Sequence, residues 1–221
     1  GTQERARALG ARIIEHPFAN FAQQRNAALE RVESEWIFFV DADERATPEL
    51  AAEAREVIAG RPEAGWWVPR RNYIVGRWIR HAGWYPDYQL RLMRRERARY
   101  DPAREDHELV VLDGEAGYLE NTLIHINYES WGEFIRKQRR YLEYDARVQV
   151  GAGVVPRPWT YVLQPLREFR RRYLTLRGYR DGLHGLILSA LMAHTAFLTT
   201  VEVGRLRRQR PSQPAGPNQP A

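Results

Sequence analysis

A chain of 221 residues, 43% hydrophobic and 28% charged, is long enough and apolar enough to build a folded domain with a real core, which excludes the disordered class. It contains no cysteine, which excludes a disulfide framework, a thiolate zinc site and a cysteine nucleophile. A formal charge of +6 and a pI near 9.8 point to anionic partners: nucleotide phosphates, nucleic acid or an acidic membrane surface.

The start, Gly1-Thr2-Gln3-Glu4-Arg5, does not read as a signal peptide, because no apolar segment follows a basic one. Residues 3–9 read as the end of a helix capped by Gly10, and residues 11–15 as a short strand. Residues 20–33 suit a helix, with Phe21, Arg25, Ala28 and Leu29 at helical spacing. Trp36-Ile37-Phe38-Phe39-Val40 is a continuous apolar run of strand length, the pattern of a buried parallel strand. Thr47-Pro48-Glu49 opens a helix with an N-cap, a proline at the first turn and an acid beside it; Gly60 stops it. This alternation predicts an α/β layer with a parallel sheet. From 65 to 95 the pattern changes to aromatic-rich strands and turns, and 116–127 reads as one more strand. Ser130-Trp131-Gly132-Glu133 is a capping box opening a helix to about Val148, followed by a loop with two prolines from Gly151 to Pro158.

Asp41-Ala42-Asp43-Glu44 lies at the C-terminal end of the apolar run 36–40. Ligands bind at that end of strands in open α/β sheets. Two carboxylates one residue apart there can ligate a hard divalent cation, Mg²⁺ or Mn²⁺, which bridges to diphosphate oxygens. An exposed acidic turn before the helix at Thr47 is the plainer alternative.

Gln24-Arg25-Asn26-Ala27-Ala28-Leu29, followed after a short gap by Trp36 to Glu44, resembles the GT-A core of family 2 glycosyltransferases, where a helix carrying an Arg-Asn pair precedes a strand ending in D-x-D. The resemblance implies that Arg25, Asp41 and Asp43 contact the nucleotide and diphosphate, with Asp41 and Asp43 as metal ligands. Trp84-Tyr85-Pro86-Asp87-Tyr88-Gln89-Leu90-Arg91-Leu92 is similar to a segment of the lipopolysaccharide-core glucosyltransferase branch. Trp84, Tyr85, Asp87 and Arg91 are then candidates for the acceptor and sugar, with a core hairpin as the alternative for the aromatics. An inverting transfer needs a base for the acceptor hydroxyl. In Arg104-Glu105-Asp106-His107-Glu108 the resemblance implies Glu108 as that base, Asp106 as second choice and His107 at the acceptor. His125, at the end of a strand, is a further candidate near the metal or diphosphate. Gly1-Thr2 looks like the end of the family's D-S-x-S-x-D-G-T stretch, so the first strands of a complete domain are expected to be missing.

Residues 166–180 interleave arginines with Leu166, Phe169, Tyr173, Leu174 and Leu176, and 183–203 are mostly apolar. His184, His194 and Glu202 interrupt that run, which suits an interfacial helix on an anionic leaflet better than a span. The expected organisation is an α/β GT-A domain over 1–128, a helical membrane-associating region over 129–204 and a disordered tail over 205–221. The expected activity is inverting transfer of a hexose from a nucleotide-sugar to a saccharide or lipid-linked acceptor, on the cytoplasmic face of the membrane and without nucleic acid. Two rivals are a basic nucleic-acid-binding protein, which gives no reason for D-x-D, and a non-catalytic membrane-associated remnant.

Overall fold

A computed structural model describes residues 1–101 and 110–209. The order is α1 (Thr2–Ala8), α2 (Phe21–Arg31), β1 (Trp36–Phe38), β2 (Glu44–Ala46), α3 (Pro48–Gly60), β3 (Gly65–Ile74), β4 (Arg77–Trp78), β5 (Asp87–Arg94), β6 (Ala98–Tyr100), β7 (Val110–Leu112), β8 (Ala116–Tyr118), β9 (Leu123–Tyr128), α4 (Trp131–Gly151), α5 (Thr160–Arg170) and α6 (Gly182–Gln209). The larger sheet runs β1–β5–β3–β9–β2, with β4 and β8 also paired to β3; β6 and β7 form a separate ribbon. The chain is mixed α/β with C-terminal helices, consistent with a GT-A domain. It divides into two compact units, one of residues 1–70 and 88–124, the other of residues 71–87 and 125–221.

Helix starts follow the local signals. The Asn20 side chain accepts from the Gln23 N–H at 2.8 Å, Thr47 Oγ1 from Leu50 at 3.2 Å, and Ser130 Oγ from Glu133 at 3.2 Å. Each satisfies a backbone donor that has no partner inside its helix. In the first unit, Leu50, Ala54 and Val57 of α3 pack on Trp66, Val68, Leu92 and Leu119. Ala22 and Leu29 of α2 pack on Phe39, Met93 and Tyr100. In the second unit, Ile74, Ile79, Tyr128, Phe134 and Leu188 form one cluster, and Ala146, Val150 and Val203 join α4 to α6.

The sequence pattern misleads at three places. β1 pairs antiparallel with β5, Trp36 opposite Arg94 and Phe38 opposite Leu92, and is the end strand of its sheet among the described residues. It is not the buried parallel strand expected: residues 36–38 are half-buried and Val40 is 43% exposed. An apolar run reports that a strand is covered, not which way its neighbour points. Residues 11–15 form no strand, since a strand needs a ladder partner for its backbone groups. Helix α5 runs without a break through Pro165. Helix α6 runs to Gln209, past the Arg205 where a disordered tail was expected to begin; residues 210–221 lie outside the described residues.

Asn26 ties α2 to the β6–β7 ribbon. Its Nδ2 donates to the Tyr100 carbonyl at 2.9 Å, and its Oδ1 accepts from the Tyr100 N–H at 2.8 Å. A side-chain amide here reproduces the two-bond pairing of a neighbouring strand. Asn26→Ala leaves both backbone groups of the buried Tyr100 without these partners, and urea unfolding should show a loss of about 1–3 kcal/mol.

Candidate active site

The turn after β1 is organised by charge. The Phe39 N–H donates to the Arg91 carbonyl at 2.9 Å, extending the β1–β5 ladder and bringing Arg91 alongside the D-x-D turn. One Nη2 of Arg91 then serves both Asp41 Oδ2 and Glu44 Oε1, the latter at 2.7 Å. The other Asp41 oxygen accepts from Arg25 of α2. Glu44 Oε1 also accepts from Arg70 of β3 at 3.2 Å, and its Oε2 caps the Asp41 N–H at 2.9 Å. The Glu44 side chain is fully buried and that of Arg91 is 8% exposed, whereas that of Asp41 is 34% exposed. The Arg25 guanidinium also lies 4.8 Å from the centre of the Phe39 ring. Three arginines and two carboxylates from α2, β2, β3, β5 and the D-x-D turn thus form one connected cluster.

Burial pushes the Asp41 carboxyl up, but the charges of Arg91 and Arg25 and their hydrogen bonds outweigh it and hold it below the ordinary aspartate range. Its folded-state pKa is therefore depressed. Asp41's contribution to stability is present above the unfolded value near pH ~4 and is lost as pH falls through the folded value.

Asp43 stands two residues on from Asp41 and is exposed. Among the described residues no group of three or more His, Asp or Glu is arranged to hold a metal alone. The donor set nevertheless fits a hard cation of the Mg²⁺ kind, which is commonly held by one or two carboxylates together with substrate phosphates. Asp43 can supply such a carboxylate. Both oxygens of Asp41 accept from guanidinium groups.

The other expected residues fall in several places. Arg91, expected at the acceptor, is buried in the ion cluster. Glu108, Asp106 and His107 lie outside the described residues. In the second unit, Trp84 packs on Tyr128 and Phe134, with ring centres 6.4 and 6.1 Å away, so its ring serves the core. Tyr85 meets Trp78 edge-on at 5.6 Å, and Arg71 and Arg80 lie over the Trp78 ring at 4.8 and 4.2 Å. Asp87 and His125 share one buried partner that the sequence reading missed, Asn72, which is 1% exposed. Asn72 Nδ2 donates to the Trp84 carbonyl at 2.9 Å and to Asp87 Oδ2 at 3.0 Å. Its Oδ1 accepts from Asn127 Nδ2 at 3.2 Å and lies 2.7 Å from His125 Nδ1. A carbonyl can only accept, so Trp84 fixes which end of the amide is NH₂, and His125 must carry its proton on Nδ1. Glu44 closes the Asp41-Ala42-Asp43-Glu44 segment but was given no role of its own there. Arg70 and Asn72 carried no motif, and their only trace in the sequence is a polar residue inside a strand-forming stretch.

Removing one member of a buried ion cluster strands the charges it served. Glu44→Ala leaves Arg91 and Arg70 without it, and chemical denaturation should register a loss of about 3–5 kcal/mol. A loss below 1 kcal/mol would mean that the cluster does not anchor the turn.

A sequence model described as Glycosyl transferase family 2 matches residues 1–125, which hold the ion cluster and the D-x-D turn. The chain is also 33% identical over 214 residues to the lipopolysaccharide core biosynthesis glycosyltransferase LpsC of Rhizobium meliloti (strain 1021), covering 94% of this chain and 76% of that protein. The chain belongs to glycosyl transferase family 2, and it is a glycosyltransferase.

Proposed function

We propose that the enzyme transfers a hexose, with inversion, from a nucleotide-sugar of the UDP type to a saccharide or lipid-linked acceptor in the synthesis of lipopolysaccharide or a related envelope polysaccharide. The observation that carries this reading is the guanidinium-braced Asp41 with exposed Asp43 beside it, at the end of β1. The relative's role in lipopolysaccharide core biosynthesis supports the acceptor class.

In this reading Asp43 holds Mg²⁺ or Mn²⁺, and Asp41 keeps the turn in place through Arg25 and Arg91. The cation, when bound, offsets the charge that develops on the leaving nucleoside diphosphate. Glu108, or Asp106, accepts the proton of the acceptor hydroxyl. That oxygen forms a bond to the anomeric carbon from the face opposite the diphosphate, the anomeric carbon–oxygen bond to the diphosphate breaks, and the configuration inverts. Asp87, held by Asn72, accepts hydroxyl hydrogen bonds from a sugar. The enzyme works on the cytoplasmic face of the membrane as a peripheral protein.

Transfer from UDP-glucose with Mn²⁺, followed by NMR of the product's anomeric centre, tests this reading. It is run on this chain and on one extended to the relative's length. Inverted product is expected, with kcat lowered about a hundredfold or more in Asp43→Ala. Product of retained configuration from the extended chain, or an unaffected Asp43→Ala variant, contradicts it.

A further inference from the structure

We propose that one face of α5, together with the arginines around it, is the surface by which this protein docks on an anionic lipid bilayer. Trp159, Val162, Leu163 and Leu166 stand at i, i+3, i+4 and i+7, so they share one helical face. They are 55, 67, 48 and 60% exposed. The other side of the helix is the packed one: a Cβ built on Gly204 of α6 would come within 2.4 Å of the Tyr161 hydroxyl. Leu174, in the turn after α5, and Leu183, at the start of α6, are 55% and 66% exposed. A helix that turns four large apolar side chains to solvent and packs by its other side is amphipathic in the sense opposite to a core helix.

The charge around this face identifies what covers it. Residues 157–180 contain seven arginines and one acid, Glu168, a net charge of +6 that equals the formal charge of the whole chain. Charges elsewhere in the sequence balance. Arg157, Arg167, Arg170, Arg171, Arg177 and Arg180 are exposed. The one acid is already spoken for: Glu168 accepts from Arg171 at 2.9 and 2.8 Å and from Arg172 at 2.5 Å. Burial pushes the Glu168 carboxyl up, but its hydrogen bonds to Arg171 and Arg172 and their charges hold it below the usual range, so it stays ionised and paired at neutral pH.

A second copy meeting this face would set one such basic segment against another, which like-charge repulsion disfavours. A nucleic acid would answer the arginines but leave the leucines and valine in water. A bilayer rich in phosphate-bearing anionic headgroups answers both, with the apolar side chains at the acyl boundary and the guanidinium groups among the headgroups. Helix α6 with its preceding turn is long and apolar enough to cross a membrane by length and composition alone. Ala193, Thr199, Thr200 and Val203 are among its buried residues, and a third of its most apolar window is buried; docking through α5 is a surface contact that itself needs no crossing. Docking concentrates the enzyme where a lipid-linked acceptor lies, a use that rests on the proposed function; vesicle binding itself needs neither donor nor transfer.

The test is flotation of the purified protein with vesicles of phosphatidylcholine, with and without phosphatidylglycerol, at low and high salt, alongside sedimentation velocity without lipid. The wild-type protein should float with the phosphatidylglycerol vesicles, less so at high salt. Val162→Glu/Leu166→Glu should weaken partitioning by about tenfold or more, and Arg167→Gln/Arg170→Gln should weaken it while flattening the salt dependence. Both pairs are exposed, and unchanged far-ultraviolet circular dichroism and Tm confirm that the fold is kept. Failure of the wild-type protein to float with anionic vesicles, or flotation indifferent to Val162→Glu/Leu166→Glu, overturns the proposal. So does a wild-type dimer that Val162→Glu/Leu166→Glu converts to monomer, which would assign the face to a second copy.

Discussion

Arg91 is shared between two carboxylates, and the D-x-D turn has its shape because of that sharing. A guanidinium presents several donors in a fixed plane, and a single Nη2 here meets both Asp41 and Glu44. Glu44 is fully buried, so its charge is tolerable only because Arg91, Arg70 and the Asp41 N–H surround it. That requirement binds β2, β3 and β5 to the end of β1. Arg25 adds α2 through the second oxygen of Asp41. Asp41 is pinned on both oxygens and Asp43 is the more exposed carboxylate of the pair, and the proposed function assigns the two acids different tasks.

How much of this could be read from the sequence depends on how local each interaction is. The helix caps at Asn20, Thr47 and Ser130 involve partners three residues away, and the pattern marks them or their helix starts correctly. The D-x-D and the Arg-Asn pair were legible as short motifs, though not their division of labour. Asn26 is a strut to Tyr100, 74 residues on. Arg91 was read as an acceptor contact because its neighbours in the chain suggested one. Its position in the ion cluster follows from the antiparallel register of β1 and β5, which no local pattern encodes. Asn72 was invisible for the same reason: its partners come from the turn before β5, from β5 itself and from β9. The apolar run 36–40 correctly announced a strand but not its edge position, because one covered face and two covered faces look alike in a five-residue window.

The helical region obeys a separate constraint. Helices α4 and α6 bury Ala146, Val150 and Val203 against each other, and α5 packs on α6 at Gly204. What is left over is an apolar face in a segment that carries a charge equal to the chain's entire net charge. In the sequence the same segment suggested a membrane contact only through composition. The structure supplies the side of the helix on which the contact would fall.

The division of labour within Asp41-Ala42-Asp43 is the central claim, and calorimetric titration of UDP with and without Mn²⁺ addresses it most directly. The parent chain should bind UDP more tightly with Mn²⁺ than without it, and Asp43→Asn should keep the fold and lose that gain. A variant Asp43→Asn that still binds UDP more tightly with Mn²⁺, to the same degree as the parent, would contradict the assignment of the cation to Asp43.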